Sequence, residues 1–192
     1  SGPEDDKEGR VLNRIVRWTP DGIMYEADPH HKEKLIQELS MDGAKSVANP
    51  SVKSTPEQLR TDPPLAASKV TSSRGLAARC NYLAADRPDC AYAAKEVCRC
   101  MSEPTELGFQ NLKRVARYLI GRPRLVWEYR WQDVSHCDIY SDTDWAGCLK
   151  TRKSTSGGCV MFGGHMIKCW SSTQPTIALS PGEAEMVGAT RA

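Results

Sequence analysis

Apolar positions along the 192-residue chain change their period from one third of it to the next. Residues 11–18 carry Val, Leu, Ile, Val and Trp in imperfect alternation, which predicts a strand. Thr19-Pro20-Asp21-Gly22 reads as a turn in which proline presets φ and glycine accepts positive φ. A strand over 23–26 completes a hairpin. Asp28-Pro29 pairs a helix cap with proline at the first helical position. Residues 30–40 then place Leu35, Ile36 and Leu39 on one helical face, with Gly43 as the stop. Between 44 and 73 large apolar residues thin out and Pro50, Pro56, Pro63 and Pro64 appear among many Ser and Thr. That stretch is expected to be a surface connector, partly disordered.

Helical spacing returns at 74–85 (Leu76, Cys80, Leu83, Ala84) and at 90–101 (Ala91, Ala94, Val97, Cys98, Met101). Beyond Pro104-Thr105, Leu112, Val115, Ala116, Leu119 and Ile120 follow the i, i+3, i+4, i+7, i+8 rule until Gly121 and Pro123. The last third reads as strands over 125–131, 138–144, 157–162 and 166–171. Gly163-Gly164 is a hairpin signal. The segment 180–191 opens a helix, with Ser180 as cap, Pro181 at the first position and Glu183 as capping-box partner. The fold class expected is α/β (α+β).

Composition changes this picture little: 40% hydrophobic and 26% charged residues suit an ordinary globular chain. Net charge is only +2, yet Lys113, Arg114, Arg117, Arg122, Arg124 and Arg130 crowd residues 111–131 against the single acid Glu128. Lys150, Arg152 and Lys153 form a second basic group. Such clusters attract phosphate whatever the total charge, although a solvated helix face is the plain alternative. The eight cysteines lack disulfide or zinc spacing; Cys98-Arg99-Cys100 is too tight for a zinc knuckle. They are expected to be reduced, which favours an intracellular compartment, cytoplasmic or nuclear. No membrane-length apolar run or signal peptide is present, and the polar residues 1–10 resemble a frayed start or a cut edge.

The candidate chemistry lies in Ser141-Asp142-Thr143-Asp144 and Glu183-Ala184-Glu185. Strand alternation sends Tyr140, Asp142 and Asp144 to one face and Ile139, Ser141 and Thr143 to the other. Glu183, in the first helical turn, suits a cap, which leaves Glu185 as a ligand. Asp142 and Glu185 are therefore the candidate catalytic and metal-binding residues, able to start a magnesium site. With further acids, two ions about 3.5–4 Å apart would activate a water and stabilise the leaving oxygen of a phosphodiester. The alternative is that Asp142 and Asp144 are turn acids and Glu185 a solvated helix residue. Lys113, Arg114, Arg117, Arg152 and Lys153 are the candidate nucleic-acid contacts. Trp145, Trp170 and Gln174 read as packing or hydrogen-bonding positions.

Four linked motifs carry a resemblance. Tyr140-Ser141-Asp142-Thr143-Asp144-Trp145-Ala146-Gly147, Arg152-Lys153-Ser154-Thr155-Ser156-Gly157-Gly158, Trp170-Ser171-Ser172-Thr173-Gln174-Pro175 and Ser180-Pro181-Gly182-Glu183-Ala184-Glu185 together resemble the ribonuclease H region of copia-type retrotransposon Pol polyproteins. Upstream, Tyr82-Leu83-Ala84-Ala85-Asp86-Arg87-Pro88-Asp89 and Arg114-Val115-Ala116-Arg117-Tyr118-Leu119-Ile120-Gly121 look like the segment joining reverse transcriptase to ribonuclease H. The resemblance implies cleavage of the RNA strand of an RNA–DNA hybrid by four acids and Mg2+, with Asp142 and Glu185 matching the first Asp and the Glu. It divides the chain into a reverse-transcriptase tail (1–45), a linker (46–73), a helical connection (74–131) and a truncated ribonuclease H-like mixed sheet (132–192) with its first three strands and the start of its first helix.

The family's third and fourth acids fall beyond Ala192 and its polymerase Asp pair before residue 1, so a fragment inactive alone is expected. Its partners would be a hybrid or other nucleic acid and the remainder of the polyprotein. The alternative is a non-catalytic nucleic-acid-binding or assembly module of a degenerate or domesticated element.

Overall fold

The predicted first strand is a hairpin. In the computed structural model, which describes residue 2 and residues 6–190, β1 (Glu8–Val11) and β2 (Arg14–Thr19) pair antiparallel. Leu12 and Asn13 between them take φ of 51° and 64°. Two successive left-handed residues give the turn whose twist matches its strands. The rest of the predicted polar start and Arg191, the expected end of the last helix, lie outside the described residues.

β3 (Gly22–Glu26) pairs with β2, and β4 (Val126–Arg130) adds on its other side from far along the chain, giving the order β1-β2-β3-β4. Gly22 is required by close approach, because a Cβ there would press into the Tyr129 carbonyl of β4. Its φ is not in the left-handed region, so the reason expected for this glycine is corrected.

α1 (Pro29–Glu38) starts as predicted, with the Asp28 carboxylate accepting from His30 N at 2.9 Å. It ends before Ser40, which itself turns left-handed at φ 53°, ahead of Gly43 at 72°. Residues 44–55 have no regular structure but are pinned to a helix described below. α2 (Pro56–Arg60) has a capping box between Thr55 and Gln58. α3 (Ala67–Ala84) begins seven residues earlier than the predicted 74, because Pro63 and Pro64 stand ahead of it and nothing after them breaks a helix. A 3-10 turn (Pro88–Cys90) leads into α4 (Ala91–Arg99), and Thr105 caps α5 (Glu106–Gly121) by accepting from Gly108 N at 3.2 Å. Leu35, Leu76, Leu112 and Leu119 are fully buried where α1, α3, α4 and α5 meet.

The second sheet has the order β5-β6-β7, formed by β5 (Cys137–Asp144), β6 (Thr155–Phe162) and β7 (His165–Thr173). The class is mixed α and β as expected, but both sheets are wholly antiparallel, so the sheet over 132–192 is not a mixed one within its three hairpin-connected strands. Gly163, at φ 58°, makes the tight turn into β7. α6 (Pro181–Ala189) packs over β5 and β6, and α4 packs against β7. The sheets meet where Arg130 N donates to His165 Nε2 at 3.0 Å.

Candidate functional site

The four motif blocks of the last third form one polar joint. Trp145 Nε1 donates to Ala178 O at 3.1 Å, and Ala146 N donates to the buried Ser154 Oγ at 3.0 Å. Gln174, 1% exposed, donates through Nε2 to Ser156 Oγ and to Ala184 O, each at 2.9 Å. Ser180 caps α6 by accepting from Glu183 N at 3.1 Å. The Glu183 carboxylate accepts from Leu179 N at 2.7 Å, one residue earlier than a capping box would have it. Three glycines are sites of close approach: a side chain at Gly147 would strike the Asp144 carboxylate, at Gly158 the Trp170 ring, and at Gly188 the Thr143 hydroxyl. Trp145 and Gln174 thus have the hydrogen-bonding roles read from the sequence, and the Trp170 ring has its packing role against Gly158.

This joint fixes where the acids point. Thr143 faces α6, its Oγ1 donating to Ala184 O at 3.4 Å. By strand alternation Asp142 leaves the opposite face, the one that Asp144 and Thr155 share and that α4 approaches. The Asp142 carboxylate is exposed and makes no hydrogen bond or ion pair among the described residues. Glu185 is also exposed and unpaired, beside the Ala184 and Gly188 stripe by which α6 packs. Asp142 thus extends from β5 on the face away from Thr143, and Glu185 extends from α6 into solvent.

The acidic face is met by ammonium groups. Lys53 Nζ lies 3.0 Å from Asp144 Oδ2, and that carboxylate holds the lysine above its ordinary pKa. Lys95, over the Tyr92 ring, donates to Thr155 Oγ1 at 2.9 Å beside Asp144 in the register. No group of three His, Cys, Asp or Glu able to hold a metal occurs among the described residues. Magnesium keeps several waters and is commonly held by one or two carboxylates, so Asp142 and Glu185 are the residues that would hold it.

The basic candidates divide. Arg114 Nε donates to Asn49 O at 3.1 Å and Arg117 Nε to Lys45 O at 2.7 Å, clamping residues 44–55 to α5. Lys113 sits 5.3 Å from the centre of the Phe109 ring. Between α5 and residues 41–58 lies an open cleft of about 620 Å³, where Lys113, Arg114 and Arg117 meet Lys45 and Lys53. Sequence reading missed those last two, which sit in a Pro- and Ser-rich stretch with no periodicity to mark them. Arg152 and Lys153 lie away from this cleft, in the β5–β6 loop, where Arg152 takes φ 58° and donates from its backbone N to Cys148 O at 2.7 Å.

Fold and site define an α/β protein that sets an acidic strand beside a basic cleft. Known proteins place it more closely. It is 30% identical over 173 residues to an uncharacterized mitochondrial protein of Arabidopsis thaliana, AtMg00810, covering 88% of this chain and 69% of that protein. It is 35% identical over 151 residues to the retrovirus-related Pol polyprotein from transposon RE1 of the same plant, covering 79% of this chain but 10% of the polyprotein. A 106-residue match at 36% identity covers 55% of the chain and 75% of the secreted RxLR effector protein 161 of Plasmopara viticola. No family profile matches the chain, and none of the solved structures matches it. The chain belongs to the family of AtMg00810 and the retrovirus-related Pol polyproteins of plant transposons, and corresponds to a stretch of retrotransposon Pol. No helix among the described residues is long and apolar enough to cross a membrane.

Proposed function

We propose that this stretch is the copia-type Pol segment that runs from the end of reverse transcriptase into ribonuclease H, and that it holds an RNA–DNA hybrid by phosphate contacts without cutting it unaided. The observation that carries the reading is the joint itself. The four motifs of the ribonuclease H resemblance, scattered over residues 140–185, interlock through Ser154, Ser156 and Gln174 into three strands and a helix. Asp142 and Glu185 are the two acids that the resemblance assigns to catalysis. The resemblance calls for four acids and assigns these two, so cleavage waits on the other two, supplied from elsewhere in the polyprotein. Arg114 and Arg117 on α5 and the exposed Arg152 supply charge for the hybrid's backbone, whose 2′-hydroxyls would distinguish the RNA strand.

A labelled hybrid incubated with the 192-residue chain and Mg2+ tests this directly. Binding that weakens with salt and leaves the hybrid intact is expected. Cleavage that disappears in Asp142→Asn would overturn the inactive reading. Failure to bind at low salt would overturn the nucleic-acid reading altogether.

A further inference from the structure

The cleft beside α5 mixes hydrogen-bond donors with the apolar Met41, Ala44, Val52 and Leu107. Among the described residues five cations, Lys45, Lys53, Lys113, Arg114 and Arg117, line it, and no acid does. Like charges gathered in a concave site repel one another and concentrate the field on whatever enters. Arg114 and Arg117 each spend Nε on a backbone carbonyl of the opposite wall. Those bonds fix the guanidinium planes and leave the terminal nitrogens on offer. Gln58, Asn111 and Ser54 add neutral hydrogen-bonding groups.

The spacing fits a row of phosphates. The lining positions Gln110, Lys113, Arg114 and Arg117 repeat along one face of α5. At about 1.5 Å per residue they span about 10 Å. Successive phosphates of one duplex strand, wound about its axis, can meet such a row of cations in turn. Among the described residues no aromatic ring lines the cleft, so bases have nothing to stack on, as they would in a groove for single strands. The occupant is therefore the backbone of a strand whose bases are already paired.

Resting on the nucleic-acid reading above, we propose that this cleft is a sequence-independent track for the sugar–phosphate backbone of one strand of a duplex, and that Lys53 exchanges Asp144 for phosphate when the strand enters. Lys53 is suited to this because it both lines the cleft and reaches β5, its side chain 70% exposed while it pairs with Asp144. The ribose–phosphate chain would thus pass from the cleft toward the strand that carries Asp142.

The test is fluorescence anisotropy of the whole chain with a labelled RNA–DNA hybrid across 50–200 mM salt. The variant Lys45→Gln/Lys53→Gln/Lys113→Gln keeps the arginine clamps, and circular dichroism checks its fold. Its log–log salt slope should fall by about 2.7, three phosphate contacts at about 0.9 each. Lys7→Gln/Lys34→Gln, outside the cleft lining, should leave the slope unchanged. Asp144→Asn should tighten binding by releasing Lys53, and an unchanged affinity would overturn the exchange. Equal slopes for the unmodified chain and the triple variant would overturn the track while leaving hybrid binding in place. A preference of tenfold or more for single strands would also overturn it. Absence of hybrid binding by every form would remove the parent reading as well.

Discussion

The helical core and the second sheet of this protein are held by different physics. In the first, every member of the large apolar cluster lies between Ala27 and Leu119, and its centre is Leu35, Leu76, Leu112 and Leu119. Around the second, the buried apolar residues are the small Ala146, Cys148, Ala178 and Ala184, and Ser154, Ser156 and Gln174 are buried with them. Volume and hydrophobic burial dominate the first region, and any side chain of the right shape can serve. Hydrogen bonds with one correct partner dominate the second, and a substitution there leaves a desolvated group unpaired. Substitutions are therefore expected to be tolerated more readily in the first region than in the second.

The largest expected effect tests the volume half. Leu119→Ala leaves a cavity at the meeting of α1, α3, α4 and α5 and should cost about 2–5 kcal/mol in urea unfolding. Leu119→Met keeps the volume and should cost under about 1.5 kcal/mol. Equal losses for the two would show that shape is as strictly specified here as in the polar joint, and the contrast would collapse.

A smaller effect is expected at Gln174. Removing its amide leaves the buried Ser156 Oγ without this donor and Ala184 O with Thr143 Oγ1 in its place, at a cost of about 1–3 kcal/mol. Gln174→Met, similar in volume, should recover little of it. Hydrogen exchange should show α6 opening ahead of α5 in both variants. If Gln174→Met restores stability, burial alone holds α6 and the joint is not a hydrogen-bonded one.

How much of this could be read beforehand follows the same divide. The amphipathic spacing of Leu112, Val115, Ala116 and Leu119 announced α5, and Asp28-Pro29 announced the start of α1, because period and cap are local signals. The turn at Leu12 and Asn13 was hidden, since a leucine at positive φ is chosen by strand pairing and not by its own preference. The wall of the cleft was hidden for another reason. Lys45 and Lys53 have no periodicity, and the carbonyls of Lys45 and Asn49, held by Arg117 and Arg114, together with Val47 against the apolar core, bring that segment onto α5. At the acids, alternation correctly separated Asp142 from Thr143. The side of the sheet on which α6 would settle depended on Thr143, Ser156, Gln174 and Gly188 together, a contact among distant residues that no single motif spells out.

The thiols give the finest probe of the contrast. In the first region burial pushes Cys90 up to about 12 and raises Cys80 as well, so both should stay protonated and unreactive until the chain unfolds. In the second region Cys148 is buried too, which would raise it, but three donors reverse the direction. Thr151 donates to its sulfur from Oγ1 at 3.0 Å and from N at 3.3 Å, and Arg99 Nη2 does so at 2.6 Å, bringing the thiol down to about 7. Because the folded value lies below the unfolded one, ionised Cys148 contributes stability above the unfolded value, and that contribution is lost as pH falls through about 7. Native-state alkylation should therefore label Cys148 with a midpoint near pH 7, while Cys80 and Cys90 stay unlabelled. Stability should rise between about pH 7 and 9, and the rise should vanish in Cys148→Ser. Arg99→Gln and Thr151→Val should each move the alkylation midpoint upward. A midpoint unmoved by both would mean that the donors seen around this sulfur do not govern it, and that burial sets the chemistry of thiols in both regions alike.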